Sequence, residues 1–539
     1  MEIRSLLSKN ESSLRKPLSS FALSMVGAFS SEIILGGFLD ANPWTHALGR
    51  VGIIAVALFV IHRFALESLY GYKPRFKDLA TLTAVLLGTV TFVALGRLIC
   101  LSIFTYGKAV SIPILNILTQ DIGVSGLYYA IPFGAGGILV QAVMGIEFAL
   151  VFGMGLALIV GIYFPEDLTL PAFILATTFI GSLGMIKVRS RQAYIKAGIN
   201  VTIITLLFVL ARLALQDSSD IMHLSIGIIT AVIGGIVTTF VISGIAPAIE
   251  RIGGYVTDIS LLEIATLDHP LLKQLSIQAP GTWNHSMVMG MMVESAAQAI
   301  NANPVLGRVA CYYHDIGKAK NPLYFVENQV RGENRHDKLS PSMSALIIKA
   351  HVKDGIKMAQ EEGLPQAIID MIPQHHGTSL IEYFYDKACK EAEESGADEE
   401  VDETSYRYPG PKPQTKEAGI IMLADGIEAA SRTIHEPTAD RIQGLVQKMV
   451  NKVFASGELE ECELTLKELH EIARCFTRVL SGIYHSRITY NEPAEKTSSH
   501  RSGEDTDNTD IIKAGDEETS PQNGEDDKRP KEDLKRLGI

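Results

Sequence analysis

The hydrophobic pattern divides this chain near residue 250. Ahead of that point apolar residues run in long stretches; behind it they recur in short amphipathic segments punctuated by Gly and Pro, with little of the alternation that marks strands. Strong stretches lie at about 48–66, 79–104, 198–214 and 224–246, each near the ~20 apolar residues that cross a hydrocarbon core. A weaker one, 18–39, contains Ser30, Ser31 and Glu32, and with no small-residue cleavage site after it reads as an uncleaved anchor. A long apolar region, 127–186, is broken by Pro165-Glu166-Asp167. A single helix over 131–164 would be ~50 Å long, too long for a core ~30 Å thick. The pattern therefore predicts a tight hairpin turning near Gly145–Glu147 and a further span at about 168–186. The expected fold class is all-α. A cytoplasmic segment, 1–17, precedes a polytopic membrane domain, 18–250, of about eight helices, and an all-helical domain, 251–490, follows.

Charge bias gives the orientation. The loops 67–78 (Lys73, Arg75, Lys77) and 187–196 (Lys187, Arg189, Arg191, Lys196) are both basic and so both cytoplasmic, which requires an even number of spans between them. The hairpin supplies four. The segments 105–126, 165–167 and 215–223 carry few basic residues, as outer loops do. Everything after about 247 then lies in the cytoplasm, on a multi-pass protein of the inner (cytoplasmic) membrane. Of the charges within the apolar half, Arg97 is expected to snorkel and Glu147 to sit at a turn. Phe133-Gly-Ala-Gly-Gly137 lacks the Lys-Ser/Thr of a phosphate loop and reads as helix-packing glycine.

The net charge of −12 arises largely from an acidic insert, 390–403, and an acidic C-terminal tail, so there is no electrostatic footprint for nucleic acid. The insert reads as a solvated loop. The tail, 491–539, is too poor in apolar groups to bury a core and reads as disordered. Cys100, Cys311, Cys389, Cys462 and Cys475 are scattered without CxxC spacing, which fits a reduced compartment.

Candidate chemistry is confined to the C-terminal half. His285, the adjacent pair His314-Asp315, His351, the pair His375-His376 and Asp425 occur in the order H…HD…H…HH…D. Predicted helices run from Thr282, as N-cap, to about 301, then over about 304–315, 340–361, 365–376 and 415–434, so the seven groups come from separate helices and helix ends. Such ligands can converge at the centre of a bundle. Imidazole and carboxylate without thiolate favour iron, manganese, zinc or nickel over magnesium or calcium. Seven donors exceed one tetrahedral site. Two divalent ions sharing a carboxylate use them all, and such a pair suits displacement at phosphorus.

From about 48 to 490 the chain resembles the bacterial seven-transmembrane HD-domain phosphohydrolases, whose best-understood members hydrolyse cyclic di-AMP. The resemblance rests on APGTWNHSMVMG (279–290), YYHDIGKAKNPLYFVENQ (312–329), HDKLSPSMSALIIKAHVKDG (336–355), IPQHHGTSLIEYFY (372–385), RYPGPKPQTKEA (407–418) and MLADGIEAASR (422–432). It implies that His285, His314, Asp315 and Asp425 hold one metal, with Asp315 bridging to a second held by His351, His375 and His376. It also implies a cyclic dinucleotide substrate, cleaved to pApA. Lys318 is a candidate phosphate contact, with a solvated lysine as the alternative, and Arg432 is a second candidate. The lipid bilayer is the other expected partner, and a homo-oligomer is left open. The chain departs from the family in having only about eight residues, 40–47, where a large extracellular domain usually stands. Where cyclic di-GMP hydrolases carry HHExxDGxGYP, this chain has HHGTSL. Hydrolysis of guanosine tetraphosphate or simple nucleotides, and a non-catalytic nucleotide receptor, remain open on ligands alone.

Reporter fusions at residues 75 and 190 should report cytoplasm, and fusions near 110 and 219 the outside; a cytoplasmic signal at 219 would overturn the hairpin.

Overall fold

A computed structural model describes residues 20–36, 44–109, 126–165, 167–185, 190–215, 221–329, 334–395 and 401–484. The N-terminal segment 1–17, the tail 491–539, and parts of 40–47, 187–196 and 390–403 lie outside the described residues. Among the described residues all regular structure is helical, as expected, with one isolated bridge between Leu380 and Arg407.

The apolar half contains α1 (Ser20–Leu35), α2 (Trp44–Ser68), α3 (Phe76–Ala109), α4 (Ala135–Met144), α5 (Ile146–Tyr163), α6 (Leu170–Leu183), α7 (Gln192–Leu215) and α8 (Ile221–Gly253). Five of these, α2, α3, α5, α7 and α8, are long and apolar enough to cross a membrane. The predicted turn falls at Gly145, which adopts φ 101° and separates α4 from α5. The first limb is shorter than predicted. Residues 128–130 form a 3₁₀ turn, Pro132 follows, and α4 has 10 residues, about 15 Å, while α6 has 14, about 21 Å. Four helices still separate the two basic loops.

Arg97 does not snorkel. Its side chain is buried, and Nη1 donates to the Tyr163 carbonyl at 2.7 Å, with the guanidinium 4.3 Å from the Phe164 ring centroid. Tyr163 ends α5, so its carbonyl lacks an intrahelical partner, and a cation there also suits the helix dipole. Glu147 lies in the first turn of α5, as expected. The glycines of 133–137 pack helices: a Cβ on Gly136 would lie 2.1 Å from Thr89 Oγ1, and one on Gly137 2.3 Å from Thr178 Cγ2.

Beyond α8 the chain turns at Gly254, φ 60°, and the joint is pinned from three sides. The Tyr255 hydroxyl donates to Asp78 Oδ1 at 2.9 Å, Thr257 Oγ1 donates to Glu250 at 2.8 Å, and Arg191 Nε donates to Glu263 at 2.7 Å.

The C-terminal domain comprises α9 (Asp258–Ile264), α10 (Pro270–Gln278), α11 (Pro280–Ala299), α12 (Pro304–Tyr313), α13 (Pro341–Glu361), α14 (Gln366–Gln374), α15 (Glu382–Ser395), α16 (Lys416–Ser431), α17 (Ala439–Ala455) and α18 (Leu466–Ile483). Its core gathers Met289, Val293, Val309, Ile372, Leu423 and Phe476, with α11 packed against α12, α16 and α18. Caps fix the helix starts: Asn303 accepts from Val305 and Leu306, Ser340 from Met343, and Thr415 from Ala418. The predicted cap at Thr282 is not used. Helix α11 begins at Pro280, and the Asn328 side chain accepts from the first-turn N–H groups of Gly281 and Thr282 at 2.9 and 3.2 Å. His285 consequently lies in the second turn. Residues 390–395 of the acidic insert continue α15 instead of forming a loop.

After α12 the chain tightens into a 3₁₀ turn, Ile316–Lys320, pressed onto α13. A Cβ on Gly317 would lie 1.9 Å from the His351 carbonyl oxygen and 2.6 Å from the Gly355 nitrogen, both backbone atoms. Gly317→Ala should therefore lower stability by about 1–3 kcal/mol in thermal unfolding of the full chain. Gly444→Ala, in mid-α17 with nothing within 4 Å, should be neutral or stabilising. Equal effects would contradict the close approach.

Candidate metal centre

The predicted donors meet. His314 caps the C-terminus of α12, Asp315 opens the 3₁₀ turn, His351 lies in mid-α13, His375 and His376 follow α14, and His285 and Asp425 come from α11 and α16. Pro373 and the positive φ of Gly377, 54°, end α14 where the two histidines are needed.

Three imidazoles share one local geometry. The Nδ1 of His314 donates to the Cys311 carbonyl at 2.7 Å, that of His351 to Ile348 at 2.6 Å, and that of His375 to Ile372 at 2.6 Å. Each bond runs to the residue three before, so the helix itself fixes the ring and its tautomer. Each Nε2 is thereby left as a lone pair. These atoms converge on Asp315: His314 Nε2 lies 3.2 Å from Oδ2, and His351 and His375 Nε2 lie 3.4 and 3.7 Å from Oδ1. All three Nε2 atoms and Asp315 Oδ1 are buried without a hydrogen-bond partner. Buried polar atoms without partners are costly, and several aimed at one point fit a metal ion better than a packed core.

The donor atoms form overlapping sets, His351–His375–His376, His285–His314–Asp425 and His314–Asp315–His375, each within 4.8 Å. The first two correspond to the two expected sites, and the third ties Asp315 to both. His376 Nδ1 faces Asp425 Oδ2 at 3.6 Å. The side chains of His376 and Asp425 are 20% and 19% exposed against 0–1% for His314, Asp315, His351 and His375, so the cluster opens on their side.

Sequence reasoning missed the supporting shell. Glu428, one turn after Asp425, accepts from His285 Nδ1 at 2.5 Å, while His285 Nε2 faces Asp425 at 3.0 Å. The arrangement is a carboxylate–histidine pair of the kind that orients metal ligands. Arg432 lies one turn further, its guanidinium engaged by Glu428 at 2.7–2.8 Å, so it supports that carboxylate. Tyr408 stacks on His376 with centroids 4.1 Å apart. Lys318 is not a solvated lysine. It is 13% exposed, 2.6 Å from Asp315 Oδ2 and 3.0 Å from Glu327. The Asp425–Glu428–Arg432 spacing was legible in principle; Asn328, Glu327 and Tyr408 reach the site across long sequence separations.

Electrostatics divide the imidazoles. Burial pushes His351 and His375 below the ordinary histidine range, and His376 down to about 3, so these rings are neutral. Burial also disfavours His285 as a cation, but Asp425 and Glu428 outweigh it and raise it to about 9. Burial opposes ionisation of Asp315, yet Lys318 and the surrounding histidines hold it well below the usual carboxylate range. A metal at the His285 site must displace a proton.

Elemental analysis of the purified protein should find up to two transition-metal ions per chain, lost on Asp315→Ala. Glu428→Gln should weaken metal affinity by about 10–100-fold while leaving the fold intact. A fully loaded protein with a single ion that survives Asp315→Ala would refute a shared carboxylate.

Comparison with known proteins finds relatives for both halves of the chain. Residues 44–257 match the family described as "7TM receptor with intracellular HD hydrolase", and residues 282–430 match the HD domain. The cyclic-di-AMP phosphodiesterase PgpH of Bacillus subtilis (strain 168) is 37% identical over 387 residues, 70% of this chain and 53% of the relative. PgpH of Listeria monocytogenes serotype 1/2a (strain 10403S) is 36% identical over 447 residues, 80% and 58% respectively. The chain thus spans about half the length of the curated relatives it matches. A crystal structure of the L. monocytogenes PgpH HD domain in complex with cyclic-di-AMP shares 46% identity, covering 41% of this chain and all of that one, with a TM-score of 0.38. Among the described residues, all of the five long and three shorter apolar helices but Ser20–Leu35 fall within 44–257, which leaves seven. This multi-pass membrane protein joins a segment that matches the seven-transmembrane family to an HD domain.

Proposed function

We propose that this protein is a membrane-anchored, metal-dependent phosphodiesterase that hydrolyses cyclic di-AMP to pApA, with its HD domain, about 251–490, on the cytoplasmic side of the cell membrane. The observation that carries the reading is the convergence of seven histidine and aspartate side chains into overlapping donor sets, with Asp315 beside His314 and His375. The names of the relatives supply the choice of cyclic di-AMP.

In this reading His285, His314, Asp315 and Asp425 hold one ion, and Asp315, His351, His375 and His376 the other, with iron or manganese preferred to zinc or nickel. Two such cations would acidify water and neutralise charge on the phosphoryl oxygens during in-line displacement. The remaining work falls to the chain. Neutral His351, His375 and His376 accept cations without first losing protons. The Nδ1 bonds keep His314, His351 and His375 from turning as charge develops, and Tyr408 braces His376 at the open side. Burial disfavours charge on Lys318, but Asp315 and Glu327 more than offset it, so the ammonium persists. A phosphate oxygen arriving beside Asp315 would compete for that ammonium.

The test is hydrolysis by the metal-loaded full chain of cyclic di-AMP, cyclic di-GMP, guanosine tetraphosphate and simple nucleotides. Cyclic di-AMP should be cleaved fastest. Replacing His375 and His376 together by Ala should abolish turnover. Lys318→Ala should lower it by about one to two orders of magnitude with metal content unchanged, the range expected from one charge-assisted hydrogen bond. Tight binding without cleavage, under every metal tried, would instead establish a receptor.

A further inference from the structure

Helices α3, α4 and α8 enclose an apolar groove of about 790 Å³, within the range of small-molecule sites. Ala84, Val85, Gly88, Leu139, Val241 and Ile245 line it. It opens outward, since Phe76, Phe92 and Ile252 on its rim are 70%, 41% and 88% exposed on helices that are themselves candidate spans. A groove of this size left empty forfeits dispersion contacts along its whole lining, and the solvent available to fill it in a bilayer is hydrocarbon.

One end of the groove is polar. Lys77 stands there, at the start of α3 opposite the end of α8. Its Nζ reaches the carbonyls of Gly253 and Gly254 only at 3.4 and 3.5 Å and lies 4.7 Å from the Tyr255 ring centroid. No carboxylate pairs with Lys77 among the described residues. The neighbouring Asp78 is engaged by Arg75, at 2.8 Å from its N–H, and by the Tyr255 hydroxyl. An unneutralised ammonium at the mouth of an apolar slot complements a molecule with a hydrocarbon chain and an anionic head. A zwitterionic head would bring its own cation toward Lys77 and gain less.

We propose that the α3–α4–α8 groove binds an anionic phospholipid of the surrounding bilayer, with an acyl chain along Gly88 and Leu139 and the phosphate on Lys77. The site is separate from the histidine cluster and does not depend on the hydrolytic reading. Its headgroup end adjoins Tyr255, at the joint through which α8 continues into the C-terminal domain.

Two substitutions separate the chain from the head. Gly88 lines the groove and has nothing within 4 Å of where a Cβ would stand, so Gly88→Leu sends its side chain into open groove and favours the helix. Lys77→Gln removes the charge and keeps most of the side-chain length. Lys73→Gln, a basic residue of the same loop outside the groove, controls for general surface charge. The full chain is reconstituted in nanodiscs of equal phosphatidylglycerol and phosphatidylcholine, and retained lipid is counted by native mass spectrometry after release. Wild type should retain phosphatidylglycerol over phosphatidylcholine by about fivefold, the effect of one basic residue at an anionic surface. Lys77→Gln should bring the ratio near one, Lys73→Gln should leave it unchanged, and Gly88→Leu should lose the retained lipid. Retention of phosphatidylcholine as readily by wild type, undiminished lipid in Gly88→Leu, or equal effects of the two lysine changes would overturn the proposal.

Discussion

Holding one ionised carboxylate in the interior is the constraint around which the C-terminal domain is built. Asp315 is 1% exposed, and an unpaired charge at that depth costs several kcal/mol. Lys318 at 2.6 Å compensates it, and the bare imidazole Nε2 atoms around it would be satisfied by bound cations, but only if the rings cannot turn away. Their own helices prevent this through the bond from each Nδ1 to the carbonyl three residues back. The cluster therefore requires helix ends at particular places. Pro373 and Gly377 stop α14, the 3₁₀ turn follows α12 at once, and Gly317 lets that turn press against the backbone of α13. Local chain chemistry and the buried charge are one problem, solved together.

Much of this was legible before any coordinates. The order of histidines and aspartates, the helix starts near 340 and 415, and the break at Gly145 follow from residue type and spacing. What failed depended on distant partners. Thr282 resembles an N-cap, yet Asn328 takes the role from 46 residues away, freeing the Thr282 hydroxyl to donate to Glu327. Tyr408 matters through the ring it touches, 32 residues before it in the chain, and no local pattern marks it. Lys318 looked solvated or available because the sequence does not show the two carboxylates that fold over it.

The membrane half repeats the lesson in a drier setting. Hydropathy finds apolar stretches but not helix lengths, because Pro132 and Gly145 cut α4 to 10 residues within a continuous apolar run. Its charged side chains are tied down. Glu32 takes Arg50 Nε at 2.9 Å and the Tyr163 hydroxyl at 2.7 Å, Asp167 takes Arg212 at 2.8 Å, and Arg97 closes the end of α5. Ion pairs and a capped carbonyl are the terms on which such groups tolerate hydrocarbon.

The pinned joint after α8 has a mechanical meaning. A domain on a slack linker samples many poses, and displacements of its anchor dissipate in the linker. Here Tyr255 is fastened to the start of α3, Thr257 to α8, and Glu263 to the turn before α7, three points that do not lie on one helix. Three such fastenings define a plane, so tilting any one of these helices tips the base on which the histidine-bearing helices stand. The joint is a wrist with its freedom removed, and a tilt of those helices would reach the histidine-bearing half as torque.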